Sequence, residues 1–265
     1  MAKPGGTAED RDLLAVLKLF AERAGKSILA RYIDASSVLE MQEKPDGAPI
    51  TSADLASEEI LVEALSTLTP GVPVVSEDRV TMEGLPGGLP SRYWLVDPLD
   101  GTDQFLTQNA EFTVNLALIQ DGVPIAGVVH APALAMTWTG AGPGSAAFSQ
   151  TDKPAMALNA RACPEAGAIL FTHRYQGSDL SKTTAEARYR VAKHHRSGSG
   201  IVFGFLASGQ ADIYARLEPS GEWTSAAGHA VLKAAGGSVE TEEGEALTYG
   251  KPGFRNQGFF AFGRR

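Results

Sequence analysis

The segment Asp97-Pro98-Leu99-Asp100-Gly101-Thr102-Asp103 places three carboxylates within seven residues, directly behind the apolar run Tyr93-Trp94-Leu95-Val96. Pro98 fixes its own φ and lacks an N–H donor, while Gly101 permits a tight turn. The chain is therefore expected to leave a strand here and aim Asp97 and Asp100 at one point. Such oxygen clusters suit Mg²⁺, a hard cation that keeps several waters and needs few carboxylates besides the oxygens of a bound phosphate. Gly101 and Thr102 then offer backbone N–H groups to an anion at the start of the following turn. Taken alone, DxxDGT reads as readily as an acidic loop of capping residues.

Other acids add weight to the metal reading. Glu77 and Asp78 also follow an apolar strand, so a sheet can bring them to the edge that carries Asp97 and Asp100. Asp54, beside Thr51 at the opening of a helix, is a further candidate that by itself reads as a cap. Competing chemistries fit less well. A dehalogenase-type phosphatase needs two Asp spaced two apart, whereas here the spacing is three with Pro98 between. Gly198-Ser199-Gly200 does not complete GxSxG, and His194-His195 lacks metal-ligand spacing. Residues 140–145, GAGPGS, lie between expected strands and read as a turn instead of a phosphate loop.

The elements that must position these residues can be read from periodicity. Leu13, Leu17, Phe20, Ala24 and Ile28 mark one helix, continuing to about Ile33, and its stripe is read as core. After the loop KPDGAP, Thr51 or Ser52 caps a second helix carrying Leu61, Ala64, Leu65 and Leu68, which stops before Pro70-Gly71. Val72–Val75 and Tyr93–Val96 read as strands. Thr113–Ile119 and Val123–Val129 flank Asp121-Gly122, a strong hairpin signal, and Met136–Phe148 holds a further strand pair. Beyond Ala157 the pattern alternates: strand Ala168–Phe171, helix Ser181–Arg188, strand Tyr189–Lys193, helix Gly200–Ala207, strand Ala211–Leu217, helix Trp223–Ala235. Strands separated by helices indicate a second α/β half, so residues 1–156 and 157–265 are expected to form two halves packed together.

The chain has 265 residues, 43% of them hydrophobic and 20% charged, with a net charge of −8. That balance argues against a nucleic-acid polymer or anionic membrane as partner, since these are held by clustered Lys and Arg. A lone cysteine, Cys163, precludes an internal disulfide and a Cys-based zinc site, and is read as a small buried hydrophobe. The polar N-terminus lacks a secretory core and no apolar run spans a bilayer, so a cytoplasmic location is expected.

Four signatures in order resemble the inositol monophosphatase superfamily of Mg²⁺-dependent, Li⁺-sensitive phosphatases. These are Asp54 in a TxAD context, the Ser-Glu-acid run at Glu77-Asp78, DPLDGT at 97–102, and a W-x-x-A-A-G helix at 223–228. The stretches YWLVDPLDGT, EFTVNLALI, GVVHAP, SGQADIYAR and AAGHAVLKAAGG are most similar to the bacterial 3′(2′),5′-bisphosphate nucleotidase branch. The resemblance implies a layered α/β/α/β/α sandwich with the site where two halves meet, two or three Mg²⁺ ions, and a small phosphorylated metabolite as substrate. It leaves a homodimer open. It assigns Glu77, Asp97, the Leu99 carbonyl, Asp100 and the position of Thr224 to metal, with Glu77 also counted in the catalytic centre. Asp54 and Thr102 would orient the attacking water, and Gly101 and Thr102 would hold phosphate.

The chain departs from that pattern in three places. Thr224 stands where the W-D-x-A-A-G signature has an Asp that binds the second metal, and Glu222, on the far side of Trp223, should point elsewhere. Val202 stands where the nucleotidase branch has Lys, and Thr172-His173-Arg174-Tyr175 where it has Ser-Arg-Ser-His. A weakened second metal site follows from the first departure. The readings in competition are a phosphatase of 3′-phosphoadenosine 5′-phosphate, one of inositol or another sugar phosphate, and a catalytically impaired relative that binds a phosphorylated ligand or a partner.

Overall fold

The computed structural model describes residues 6–32, 42–43, 47, 49–151, 153–174 and 178–265. Ile33, most of the KPDGAP loop and Tyr175 lie outside them. In chain order the elements are α1 (Ala8–Tyr32), β1 (Gln42–Glu43), β2 (Pro49–Ile50), α2 (Ser52–Leu68), β3 (Val74–Ser76), α3 (Glu77–Glu83), β4 (Arg92–Asp100) and α4 (Thr102–Leu106). There follow β5 (Thr113–Gln120), β6 (Val123–Ala131), β7 (Met136–Ala141), β8 (Ala147–Gln150), β9 (Met156–Ala157), β10 (Ala168–His173), α5 (Ser178–Arg188) and β11 (Val191–Ser197). The remainder are α6 (Ile201–Ala207), β12 (Ile213–Arg216), β13 (Ser220–Gly221), α7 (Trp223–Ala234), β14 (Ser238–Glu240), β15 (Arg255–Asn256) and β16 (Phe259–Phe262).

Strands β3 to β9 lie side by side in chain order in a seven-stranded sheet, and a five-stranded sheet has the order β11-β10-β12-β16-β14. Side-chain alternation along β4 shows how the first sheet is covered. Trp94 and Val96 join Leu17, Ala21, Ile28, Leu61 and Leu65 of α1 and α2 on one face. Tyr93 and Leu95 join Ile201, Phe203, Ala227 and Val231 of α6 and α7 on the other. The second sheet alternates likewise: Tyr214, Phe259 and Ala261 face α6 and α7, while Ile213, Phe260 and Phe262 pack with Ala185 of α5. Helices α1 and α2, the first sheet, α6 and α7, the second sheet and α5 thus form the expected α/β/α/β/α sandwich. Strands buried on both faces explain why β4 reads as an unbroken apolar run.

Several expectations shift in detail. On α1 the buried stripe is Leu14, Leu17, Ala21, Ala24, Gly25 and Ile28, so Leu13 and Phe20 sit at its margin. The β5–β6 turn holds both Asp121 (φ 51) and Gly122 (φ 74) left-handed, the geometry that makes Asp-Gly favourable between strands. Strands β13 to β16 carry no periodic signal long enough to predict. Cys163 is exposed, not buried, in the segment between β9 and β10. Among the described residues no helix is long and apolar enough to cross a membrane.

Candidate active site

Strand β4 does not end at Pro98. It runs to Asp100, with a register shift between Asp97, opposite Asn115, and Asp100, opposite Thr113. The irregularity arises where proline withholds a ladder donor. The reversal comes at Gly101, whose φ of 95° is left-handed and whose absent Cβ would stand 2.7 Å from Gln104 Oε1. Helix α4 then begins with Thr102, so one strand end presents Asp97, the Leu99 carbonyl, Asp100 and Thr102 in succession.

Parallel pairing of β3 with β4 sets Ser76 against Val96, which brings Glu77, the first residue of α3, to the level of Asp97. Asp97 is 1% exposed and Asp100 7%. Burial pushes the Asp100 carboxyl up to about 6; the Arg216 guanidinium and the Gly200 N–H pull it back down, and the Glu77 charge raises it. Asp100 Oδ2 accepts hydrogen bonds from Gly200 N (2.6 Å) and Asn115 Nδ2 (3.1 Å). A Cβ on Gly200 would lie 3.3 Å from that oxygen, so glycine gives the close approach. The Gly198-Ser199-Gly200 segment thus serves as a backbone donor to Asp100.

Asp54 is engaged through both carboxylate oxygens. Its Oδ2 accepts from the Thr51 N–H (2.7 Å) and Thr51 hydroxyl (2.6 Å), forming the capping box of α2. Its Oδ1 lies 3.2 Å from Thr102 Oγ1, which is also 3.3 Å from the Leu99 carbonyl oxygen. The capping role and the pairing with Thr102 coexist, one on each carboxylate oxygen. Ser57, on the same helix, donates to the Pro98 carbonyl at 2.8 Å and ties α2 to the acidic turn.

Of the residues anticipated from sequence, Asp54, Thr102, Leu99, Asp100, Asp97 and Glu77 gather at this sheet end. Asp78 is buried behind them, 2% exposed, beside Glu58. Thr224 sits in the first turn of α7, its hydroxyl donating to the Gly221 carbonyl (3.0 Å) and accepting from Arg216 Nη1 (3.4 Å). Glu222 indeed points away, accepting from the Gly250 and Lys251 N–H groups at 2.7 and 3.1 Å. Val202 is fully buried in the central core. Sequence reasoning missed Asn115, Gly200, Ser57 and Arg216, which reach the site only through tertiary packing. Among the described residues no three His, Cys, Asp or Glu side chains form a group that holds a metal ion by itself; carbonyl, phosphate or water oxygens must complete any centre at this edge.

The profile of the inositol monophosphatase family matches residues 9–258. The chain belongs to the inositol monophosphatase family. It is 37% identical over 247 residues to the 3′(2′),5′-bisphosphate nucleotidase CysQ of Escherichia coli (strain K12), covering 90% of this chain and 95% of that protein. Identity to the Salmonella typhimurium CysQ of the same description is 36% over 243 residues, with the same coverage. The crystal structure of CysQ from Bacteroides thetaiotaomicron superposes with a TM-score of 0.76 at 28% identity, covering 96% of this chain and 98% of that one. An inositol monophosphatase from Zymomonas mobilis shares the fold at a TM-score of 0.75 and 22% identity, over 98% of this chain and 95% of that one. Family membership therefore accounts for the layered sandwich and for the order of the four signatures along the chain.

Proposed function

We propose that the chain is a Mg²⁺-dependent phosphomonoesterase of small phosphorylated metabolites, with a nucleotide carrying a 3′-phosphate beside a 5′-phosphate as first substrate. One observation carries the reading: the Leu99 carbonyl lies between two buried carboxylates, Asp97 and Asp100, and within 3.3 Å of the hydroxyl that pairs with Asp54. The donor set is all oxygen and fits a hard divalent cation. Glu77, Asp97, the Leu99 carbonyl and Asp100 would hold Mg²⁺, which when bound neutralises phosphate charge and acidifies water. Thr102 and Asp54 orient the attacking water, with Asp54 held in place by the Thr51 cap. Gly101 and Thr102 direct backbone N–H groups at the phosphate. Likeness to the two nucleotidases at 36–37% identity supports a bisphosphate nucleotide ahead of a sugar phosphate.

A second reading, a slow or inactive relative that retains its ligand, draws on Thr224, whose hydroxyl is engaged by Gly221 and Arg216. Phosphate release from a panel of nucleotide bisphosphates, inositol phosphates and sugar phosphates at graded Mg²⁺ tests both. Mg²⁺-dependent release fastest on the nucleotide bisphosphates is expected. Binding without release on every member would replace the first reading with the second.

A further inference from the structure

Away from the acids, α1 and the far strands of the first sheet enclose a cavity of about 450 Å³, a size suited to a small metabolite. Its floor is a polar row that crosses three strands: His130 on β6 pairs in register with Thr137 on β7, and Thr137 with Ser149 on β8. All three are buried, at 7%, 2% and 8% exposure. The same face of β6 is apolar at Ala126 and Val128, which pack under α1, so the change to polar side chains is not one that core packing requires. His130 Nδ1 and Thr137 Oγ1 meet at 2.9 Å, but the Ser149 hydroxyl has no hydrogen-bond partner among the described residues. A buried hydroxyl in that position costs free energy unless an occupant of the cavity meets it.

Three lysines stand at the rim. Lys18 and Lys26 come from α1, and Lys153 from the turn after β8. Among the described residues Glu22 is the one carboxylate of the lining, and it lies 3.5 Å from Lys18. Lys153 reaches only the neutral Gln150 side chain, at 2.7 Å, and Lys26 has neither ion pair nor hydrogen bond among the described residues. In a chain of net charge −8, three ammonium groups against one carboxylate make a local field of the sign an anion needs. The register sets this cavity apart from the acids. His130 lies opposite Val114 of β5, and β6 to β8 stand two to four strands from β4, roughly 10–19 Å at about 4.8 Å per strand.

We propose that this cavity is a second anion site, which takes a small organic phosphate on Lys18, Lys26, Lys153 and the Ser149 hydroxyl, independently of the metal-binding acids. Ammonium groups serve as charges that adapt to a phosphate, and the hydroxyl adds one directed donor. Three lysines less Glu22 leave two positive charges, which match the dianion of a phosphate monoester better than a single carboxylate. The rest of the cavity houses the esterified part of the molecule.

The test is calorimetric titration of the full chain in EDTA, so that the acids hold no metal and repel phosphate, with ribose 5-phosphate, adenosine 5′-monophosphate, ribose and citrate as probes. Both phosphates are expected to bind at one site per chain, citrate more weakly, and ribose not at all. The Lys26→Gln, Lys153→Gln double variant is expected to weaken both phosphates about tenfold or more and Ser149→Ala about threefold, with Asp97→Asn unchanged. Lys26 and Lys153 are exposed, so their loss leaves the fold intact, which an unchanged Tm confirms. Lack of binding by either phosphate overturns the proposal, as does undiminished affinity in the double variant. Citrate binding tighter than both phosphates makes this a carboxylate site and overturns it too, and affinity lost in Asp97→Asn places the phosphate among the acids instead.

Discussion

The hydroxyl of Thr102 lies 3.2 Å from Asp54 Oδ1, joining the first residue of α4 to the first turn of α2 across 48 positions of sequence. Because the other Asp54 oxygen is fixed by Thr51, the carboxylate cannot rotate away from Thr102. Asp54→Asn is therefore expected to lower kcat by about a hundredfold or more while changing KM little. Thr102→Ala, which leaves the cap of α2 intact, should lose activity without the loss of stability, about 1 kcal/mol, that removal of a capping carboxylate brings. Steady-state kinetics and thermal unfolding of both variants check this; normal kcat in folded Asp54→Asn would remove the residue from the chemistry.

Asp97 and Asp100 are buried charges at one strand end, so each contributes to any cation bound there. Asp97→Asn should reduce turnover by about a hundredfold or more with the fold preserved. Crystals soaked in Mn²⁺ should show anomalous density near Glu77, Asp97 and the Leu99 carbonyl. Density elsewhere, or retained activity in the variant, would move the metal site.

Buried histidines contribute to the response to acid. Burial lowers His130 to about 4 and His229 to about 3, so both are neutral in the folded protein. Their ring nitrogens meet Thr137 Oγ1 (2.9 Å) and the Tyr249 hydroxyl (3.1 Å). The unfolded chain protonates them near 6.5 and so binds more protons than the folded chain between that pH and about 4. Their contribution to stability is complete above pH 6.5 and is lost progressively as pH falls. Tm measured from pH 7 to 5 should decline, and the decline should be shallower in His229→Gln; an identical slope would exclude His229 as a source.

Gly228 lets α7 meet α6. A Cβ there would stand 2.3 Å from the Phe203 ring, and Phe203 is locked edge-on against Tyr214 and stacked on Phe259. Gly228→Ala should cost about 1–3 kcal/mol by overpacking, read as a lowered denaturant midpoint. Pairing it with Phe203→Leu should recover part of the loss; no recovery would place the strain in another contact.

What was legible in the sequence was what is encoded locally. DPLDGT announced the turn because its Pro, Gly and acids act within six residues, Thr51 announced α2 by its cap, and Asp121-Gly122 announced a hairpin by its φ demands. Arg216 read only as the polar end of a strand, since nothing nearby in sequence shows that its guanidinium reaches Thr224. Gly200 reaches Asp100 across 100 residues, so its role appears only when the halves meet. Strands β14 and β16 escaped notice because a few residues paired at long range carry no period of their own.

Helix α7 belongs to the later part of the chain yet covers one face of the seven-stranded sheet completed by β9. On the ribosome that face must wait. The 77 residues that follow Ala157 up to Ala234 separate completion of the sheet from arrival of its cover, roughly 4–15 s at ordinary synthesis rates. Until α6 and then α7 arrive, Tyr93, Leu95, Ala117, Ile119 and Trp138 form a bare apolar surface on a nascent chain. Chains released at Glu222 should therefore collect in inclusion bodies or on chaperones, and a soluble, folded 1–222 fragment would show that the sheet protects itself.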